Sequence, residues 1–249
     1  MKYCIVIPCY NEESRFPQEE FIQHLNSNSE NAYCLVNDGS KDKTSDMLNN
    51  LKKLAPERIQ VLNLEKNVGK GEAVRQGMNF ALAWSEFEFL AVFDADFATP
   101  LEEFEYMLSY VKSFNKFIVA ARWKHLGANI QRDERRHYLG RVFATVVSIS
   151  LKLPVYDTQC GAKILTSDAA KSVFKESFIS RWLFDVEIFH RLRLSYPDED
   201  IHKLVLEVPL RTWIEKGESR LKVSDFLKAP LLLYRIHRRY RKTNQYEKK

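Results

Sequence analysis

No stretch of this chain comes near the ~18 consecutive apolar residues that a membrane-spanning helix needs. The longest candidate, Val142 to Leu153, is about as long as one buried helix. The start lacks the basic lead and small-residue cleavage site of a secretory signal. Met1-Lys2-Tyr3-Cys4-Ile5-Val6-Ile7-Pro8 reads as a strand instead, and the chain is expected to stay in the cytoplasm. Cysteine is scarce. Cys4, Cys9, Cys34 and Cys160 show no paired metal-ligand spacing, and three of them lie in or beside apolar runs. Buried reduced thiols are expected, as in a reducing compartment. There is no Gly-x-x-x-x-Gly-Lys-Ser/Thr phosphate loop, no internal repeat and no low-complexity tract.

A basic folded face is also missing. The formal net charge of +5 comes from the C-terminus, where Lys228, Arg235, Arg238, Arg239, Arg241, Lys242, Lys248 and Lys249 face only Glu247. The rest of the chain is slightly acidic. Nucleic-acid binders carry their basic residues on the fold, with aromatic or groove-reading elements among them, so no nucleic-acid partner is expected. A basic tail reads more simply as a surface or membrane-interface element.

What is present is alternation. In a chain of 249 residues, apolar runs at Tyr3–Ile7, Ala32–Asn37, Ile59–Asn63, Phe89–Phe93 and Lys116–Ala121 predict strands. Between them, Glu19–Asn26, Ser45–Leu54, Gly71–Ser85 and Leu101–Lys112 have helical spacing. Such alternation implies an α/β domain with a mostly parallel central sheet flanked by helices. Residues 122–138 are polar and doubly charged, and read as a loop over the strand ends. A helix over Leu139–Leu153, a turn running into a strand over Val155–Leu165, helices over Ser167–Phe174 and Phe184–Ser195, and a last strand over Leu204–Leu210 complete the reading. The expected organisation is one domain over 1–225 and a basic amphipathic segment over 226–249.

Ligands of open α/β sheets bind at the carboxyl ends of the strands, and chemistry-bearing residues gather there. Pro8 is expected to stop the first strand, turning Tyr10 and Glu12 into the cleft. Asp38, before the Gly39-Ser40 turn, suits a ribose hydroxyl, a base N–H or a local turn. Lys70, in Asn67-Val68-Gly69-Lys70-Gly71, opens a helix and suits an anion. Asp94-Ala95-Asp96 is the sharpest local signal. Its two carboxylates point the same way and repel, and a divalent cation relieves that. Arg122, Arg135 and Arg136 have the fork geometry for phosphate. Asp157-Thr158-Gln159-Cys160-Gly161 and Trp182-Leu183-Phe184-Asp185-Val186-Glu187 set carboxylates among bulky apolar residues, as in a site wall or a structural ion pair.

In this order, these stretches resemble the family 2 glycosyltransferases of the GT-A fold, and among them the dolichyl- and polyprenyl-phosphate β-glucosyltransferases. The resemblance covers about residues 3 to 235, through Trp213-Ile214-Glu215-Lys216-Gly217-Glu218-Ser219. It implies a nucleotide-sugar donor, a polyprenyl-phosphate acceptor and a Mg2+ or Mn2+ cofactor. Pro8, Tyr10, Glu12 and Asp38 would bind the nucleoside, with Lys70 nearby. Asp94 and Asp96 would hold the nucleotide and the metal, Asp96 acting in catalysis. Arg122 and Arg136 would hold the acceptor phosphate. Asp157 and Gln159 would lie by the sugar and acceptor, and Asp185 and Glu187 along the deeper wall. Ala98 stands where dolichyl-phosphate mannose synthases carry Gln, which favours glucose from UDP-glucose over mannose from GDP-mannose. The implied reaction is a single in-line displacement with inversion.

The membrane spans of many such enzymes have no counterpart here. Leu231-Leu232-Leu233-Tyr234 beside Arg235, Arg238, Arg239 and Arg241 reads as an interfacial basic segment, placing the protein peripherally at the inner membrane face, or as a helix docked on the fold. Transfer to a non-lipid saccharide, nucleotidyl transfer and non-catalytic nucleotide-sugar binding are the competing readings.

Overall fold

The strands read as unbroken apolar runs because helices cover both faces of the sheet they form. The computed structural model describes residues 1–216 and 223–241, apart from the side chains of residues 135, 136 and 223–227. The first half runs β1 (Tyr3–Cys9), α1 (Gln18–Ser27), β2 (Asn31–Asn37), α2 (Thr44–Leu54), β3 (Ile59–Asn63), α3 (Lys70–Trp84), β4 (Phe89–Val92), α4 (Glu103–Leu108) and β5 (Phe117–Ala121). The second runs β6 (Asn129–Gln131), α5 (Glu134–Leu151), β7 (Lys163–Thr166), α6 (Ser167–Val173), α7 (Phe184–Ser195), α8 (Ile201–Leu204), β8 (Val205–Pro209), β9 (Thr212–Ile214) and α9 (Val223–Arg241).

Seven strands form one sheet in the order β3-β2-β1-β4-β7-β5-β8. Neighbours pair in parallel, except that β7 is antiparallel to both β4 and β5. Along β1, Cys4 and Val6 enter one core layer while Ile5 and Ile7 enter the other. Helices α3, α5, α6, α7 and α9 close the first layer, and α1, α2 and α4 the second. The fit of α3 is tight: a Cβ on Gly77 would press into Val6 and Val36. All four cysteines are buried and none is in a disulfide, in line with the reduced thiols expected.

Two expectations need correcting. Pro8 does not stop β1, which runs on to Cys9 in register with Asn37 of β2. The Val6 carbonyl accepts from Phe93 N on the β4 side. Pro8, two residues on, faces that same side beyond the end of the β4 pairing, so its missing N–H leaves no ladder bond unmade. Second, residues 122–138 are not one loop. They contain β6, which pairs in parallel with β9 as a separate two-stranded sheet, and the first turn of α5. Three-residue strands carry too little alternation to be read. Of the two readings of the basic C-terminal segment, its described part shows the docked helix. Ala229, Leu233, Ile236 and Tyr240 of α9 are buried. Tyr240 stacks on His190 of α7 at 5.2 Å, donates to Glu187 at 3.2 Å and accepts from Arg191 at 2.9 Å. The expected residues Lys242, Lys248 and Lys249 lie outside the described residues.

Candidate active site

The direction of β7 assembles the site. Because β7 runs antiparallel between β4 and β5, the chain that enters it, Asp157 to Ala162, lies at the carboxyl ends of both neighbours. It meets Asp94 and Asp96 just past β4 and Arg122 just past β5.

Asp94 and Asp96 flank a tight turn in which Phe97 N donates to the Asp94 carbonyl and Phe97 takes a left-handed φ of 47°. Ala98 N donates to Asp96 Oδ1 at 3.0 Å. Lys70, at the start of α3, holds Asp94 Oδ1 at 2.5 Å. Burial disfavours ionisation of Asp94, but the charges of Lys70, Lys163 and Arg122 outweigh it and hold the carboxyl below the usual carboxylate range. Asp96 is pushed the other way, first by burial and then by the Asp94 charge. Gly161 is the wall behind the pair: a Cβ there would run into the Asp94 carboxylate. Among the described residues no cluster of three or more His, Cys, Asp or Glu forms a closed metal cage. Two half-exposed carboxylates, one of them short of positive partners, fit a hard oxygen-seeking cation that completes its shell with waters and a diphosphate.

Arg122 and Asp157 form a fork. Arg122 Nε reaches Asp157 Oδ2 at 2.6 Å, Nη2 reaches Oδ1 at 2.9 Å, and the Arg122 backbone N also donates to Oδ2. Burial works against the Asp157 charge, but the Arg122 guanidinium more than offsets it and brings the pKa down to about 2. Gln159 N donates to Asp157 Oδ1 at 3.0 Å, while Gln159 Nε2 is a buried donor without a hydrogen-bond partner among the described residues. Buried polar groups are almost always paired, so this amide is placed for something the cleft receives. Arg132, not singled out from the sequence, is a second guanidinium beside the fork. Burial and then the Arg122 charge lower its pKa, the environment of a cation that an incoming anion would relieve.

The other expected residues divide. Asp38 is buried, and its carboxylate is already used by the loop before α3. It accepts from Val68 N at 2.7 Å, Gly69 N at 3.0 Å and Asn67 Nδ2 at 2.9 Å, and Asn67 in turn accepts from Arg181 at 2.6 Å. The local turn is made instead by Asn37, whose Oδ1 accepts from Ser40 N at 3.1 Å. Tyr10 is half-buried and Glu12 buried just beyond β1, on the cleft side where Glu12 N donates to Thr44. Asp185, at the N-terminus of α7, pairs with Lys163 at 3.0 Å deep in the site wall. Lys163 also donates to the Cys160 carbonyl, so it ties α7 to the 157–161 turn. Glu187 is not brought to that wall. Two residues along a helix turn a side chain by about 200°, and Glu187 instead accepts from Ile179 N, Ser180 N and Tyr240. The side chain of Arg136 lies outside the described residues.

Residues 4–174 match the family model described as Glycosyl transferase family 2. A dolichyl-phosphate beta-glucosyltransferase of Trichomonas vaginalis is 34% identical over 245 residues, covering 93% of this chain and 69% of that protein. The dolichyl-phosphate beta-glucosyltransferase of Mus musculus is 30% identical over 240 residues, covering 87% of this chain and 73% of its own length. Among solved structures, glucosyl-3-phosphoglycerate synthase from Mycobacterium tuberculosis in complex with UDP superposes with a TM-score of 0.58 at 16% identity, over 95% of this chain and 80% of that one. The same enzyme with Mn2+, UDP and phosphoglyceric acid gives 0.58 at 16% identity, over 94% and 75%. At that identity the likeness is one of fold.

Proposed function

The chain belongs to glycosyl transferase family 2 and has the GT-A fold, and from that premise we propose that it transfers glucose from UDP-glucose to a dolichyl or other polyprenyl monophosphate, with inversion. One observation carries the reading: the Asp94–Asp96 pair and the Asp157–Gln159 turn meet at one end of the sheet, in a chain whose relatives along most of its length bear the name of that activity.

The chemistry asks little of the protein in proton transfer. A phosphate monoester is already anionic near neutral pH, so its oxygen needs no base. The new bond joins that oxygen to C1 of the sugar; the bond from C1 to the diphosphate breaks, and UDP leaves with the electron pair. Asp94 and Asp96 would hold a Mg2+ or Mn2+ ion, which when bound offsets the charge that grows on the departing diphosphate. Lys70 stands beside them as a fixed ammonium near the α3 N-terminus, where anions are favoured. Asp157 orients Arg122 through two hydrogen bonds, and Arg122 with Arg132 makes the positive end of the cleft against which the acceptor phosphate is positioned. Gln159 offers its free amide to the sugar or the acceptor.

The test is transfer of labelled sugar to a short polyprenyl phosphate from UDP-glucose or GDP-mannose, with and without Mn2+, by the wild type and Asp96→Ala. Lipid-linked glucose from UDP-glucose alone, lost with the variant or without metal, is the expected result. Preference for GDP-mannose would move the enzyme to the mannosyl branch. Turnover only with a soluble saccharide would overturn the lipid acceptor.

A further inference from the structure

Helix α5 is apolar on two opposite faces. Ala144, Val147 and Leu151 are buried against the body, where Arg193 of α7 donates to the Leu151 carbonyl. On the other side Tyr138, Leu139, Val142, Val146 and Ile149 are all exposed, Val142 by 65% and Ile149 by 72%. At about 100° per residue these five fall within roughly a 100° arc. A helix that is apolar all round is expected in a protein interior or in lipid, not half in water. Scattered surface apolar side chains need no explanation, but a contiguous row of them does.

We propose that this outer face of α5 lies in the surface of a phospholipid bilayer and sets the mouth of the cleft against it. The proposal rests on the lipid-phosphate reading of the acceptor. Two features favour lipid as the occupant. The first is charge. Helix α9 packs beside α5, and both rest on α7. The outward residues of α9 include Leu231 and Tyr234 together with Arg235, Arg238 and Arg239, an apolar-and-basic combination that suits anionic headgroups. The second is continuity with the site. Arg141 of α5 stacks on the Tyr156 ring at 3.5 Å and donates to its carbonyl, Trp123 packs on the same ring at 5.8 Å, and Asp157 is the next residue. Trp123 is itself half-exposed, and Leu126, in the same loop, is fully exposed. The apolar surface thus begins beside the Arg122–Asp157 fork.

The test is flotation of the full chain with phosphatidylcholine vesicles containing about a third phosphatidylserine and no polyprenyl phosphate. The wild type should float, and the double variant Val142→Asp/Ile149→Asp should lose binding by about tenfold or more. Its circular dichroism, melting temperature and turnover of a short, water-soluble polyprenyl phosphate should be unchanged. Arg235→Gln/Arg238→Gln/Arg239→Gln should lose binding by several-fold and lose most of its salt sensitivity. Wild type that stays with the buffer, or a double variant that floats as well as wild type, would overturn the proposal. So would a dimer in solution that the double variant converts to monomer, since a second copy would then cover the stripe. Because the vesicles hold no acceptor, flotation does not depend on the acceptor reading; absence of glucosyl transfer to the short polyprenyl phosphate would count against that reading and leave the flotation result standing.

Discussion

Gly161 sets where Asp94 sits. Any side chain there would push on the carboxylate, and displacement of a reacting group by about 1 Å can reduce turnover on the order of a hundredfold. Gly161→Ala should therefore lower kcat/KM with UDP-glucose by about that factor, while the variant still folds by circular dichroism. Asp157 gives a different signature, because it holds Arg122 in a buried fork. Asp157→Asn leaves the guanidinium without its counter-charge and should destabilise the fold by about 3 kcal/mol in urea unfolding. The sign of its pH dependence follows from a folded-state pKa of about 2, below the ordinary 3.8. The stabilisation is present above 3.8 and is lost as pH falls toward 2. The wild type should lose stability through that window more steeply than Asp157→Asn. Asp94, Asp96, Asp157 and Gln159 are legible as candidates in the sequence because acidic and amide groups at strand ends stand out from their apolar neighbours. Arg132 is not, since in a charged stretch it differs from Arg135 or Lys124 only by what it packs against.

At the scale of elements, the pairing of α9 with α7 should depend on pH through His190. His190 is buried, neither ring nitrogen has a hydrogen-bond partner among the described residues, and it stacks on Tyr240. Burial lowers its pKa from 6.5 to about 4, and the charges of Arg193 and His237 add to the effect. A base with a depressed folded-state pKa binds protons more readily when unfolded, so its contribution is complete above 6.5 and is lost as pH falls toward 4. Between pH 7 and pH 5 this amounts to about 2 kcal/mol. His190→Phe should flatten the fall in melting temperature over that range, measured by calorimetry. Helix α3 makes a contrasting case, where shape decides. Gly77→Ala has nowhere to put its methyl except into Val6 and Val36. It should destabilise by about 1–3 kcal/mol, although alanine is the better helix former. Helix α3 itself is predicted almost to the residue, because its periodicity is long and its ends are marked. Strands β6 and β9 are invisible beforehand, because a three-residue pair in a polar stretch gains its stability from the partner strand.

For the whole molecule, the donor and the cation should stabilise the fold jointly. Two carboxylates do not make a metal cage, so Mn2+ alone should leave the melting temperature nearly unchanged. UDP with Mn2+ at about a hundred times its Kd should add about 2.7 kcal/mol of stability. Chelation should remove that gain without unfolding the protein, and Asp96→Ala should abolish it. A large stabilisation by Mn2+ alone would mean a metal site other than the one argued here. The amino-acid sequence by itself determined the α/β alternation, the strands buried on both faces, the pair Asp94–Asp96 and its neighbours at the strand ends. Those depend on hydrophobic period and on residue type, which are local properties of the chain. The tertiary structure alone decided that β7 runs antiparallel between β4 and β5, bringing Asp157 to Arg122, and that Asp38 anchors a loop while Glu187 turns away from the cleft. It also decided that one apolar face of α5 is left uncovered by the described residues. Strand direction, the partner a carboxylate finds and the face a helix leaves open depend on residues distant in the chain, and no local period encodes them.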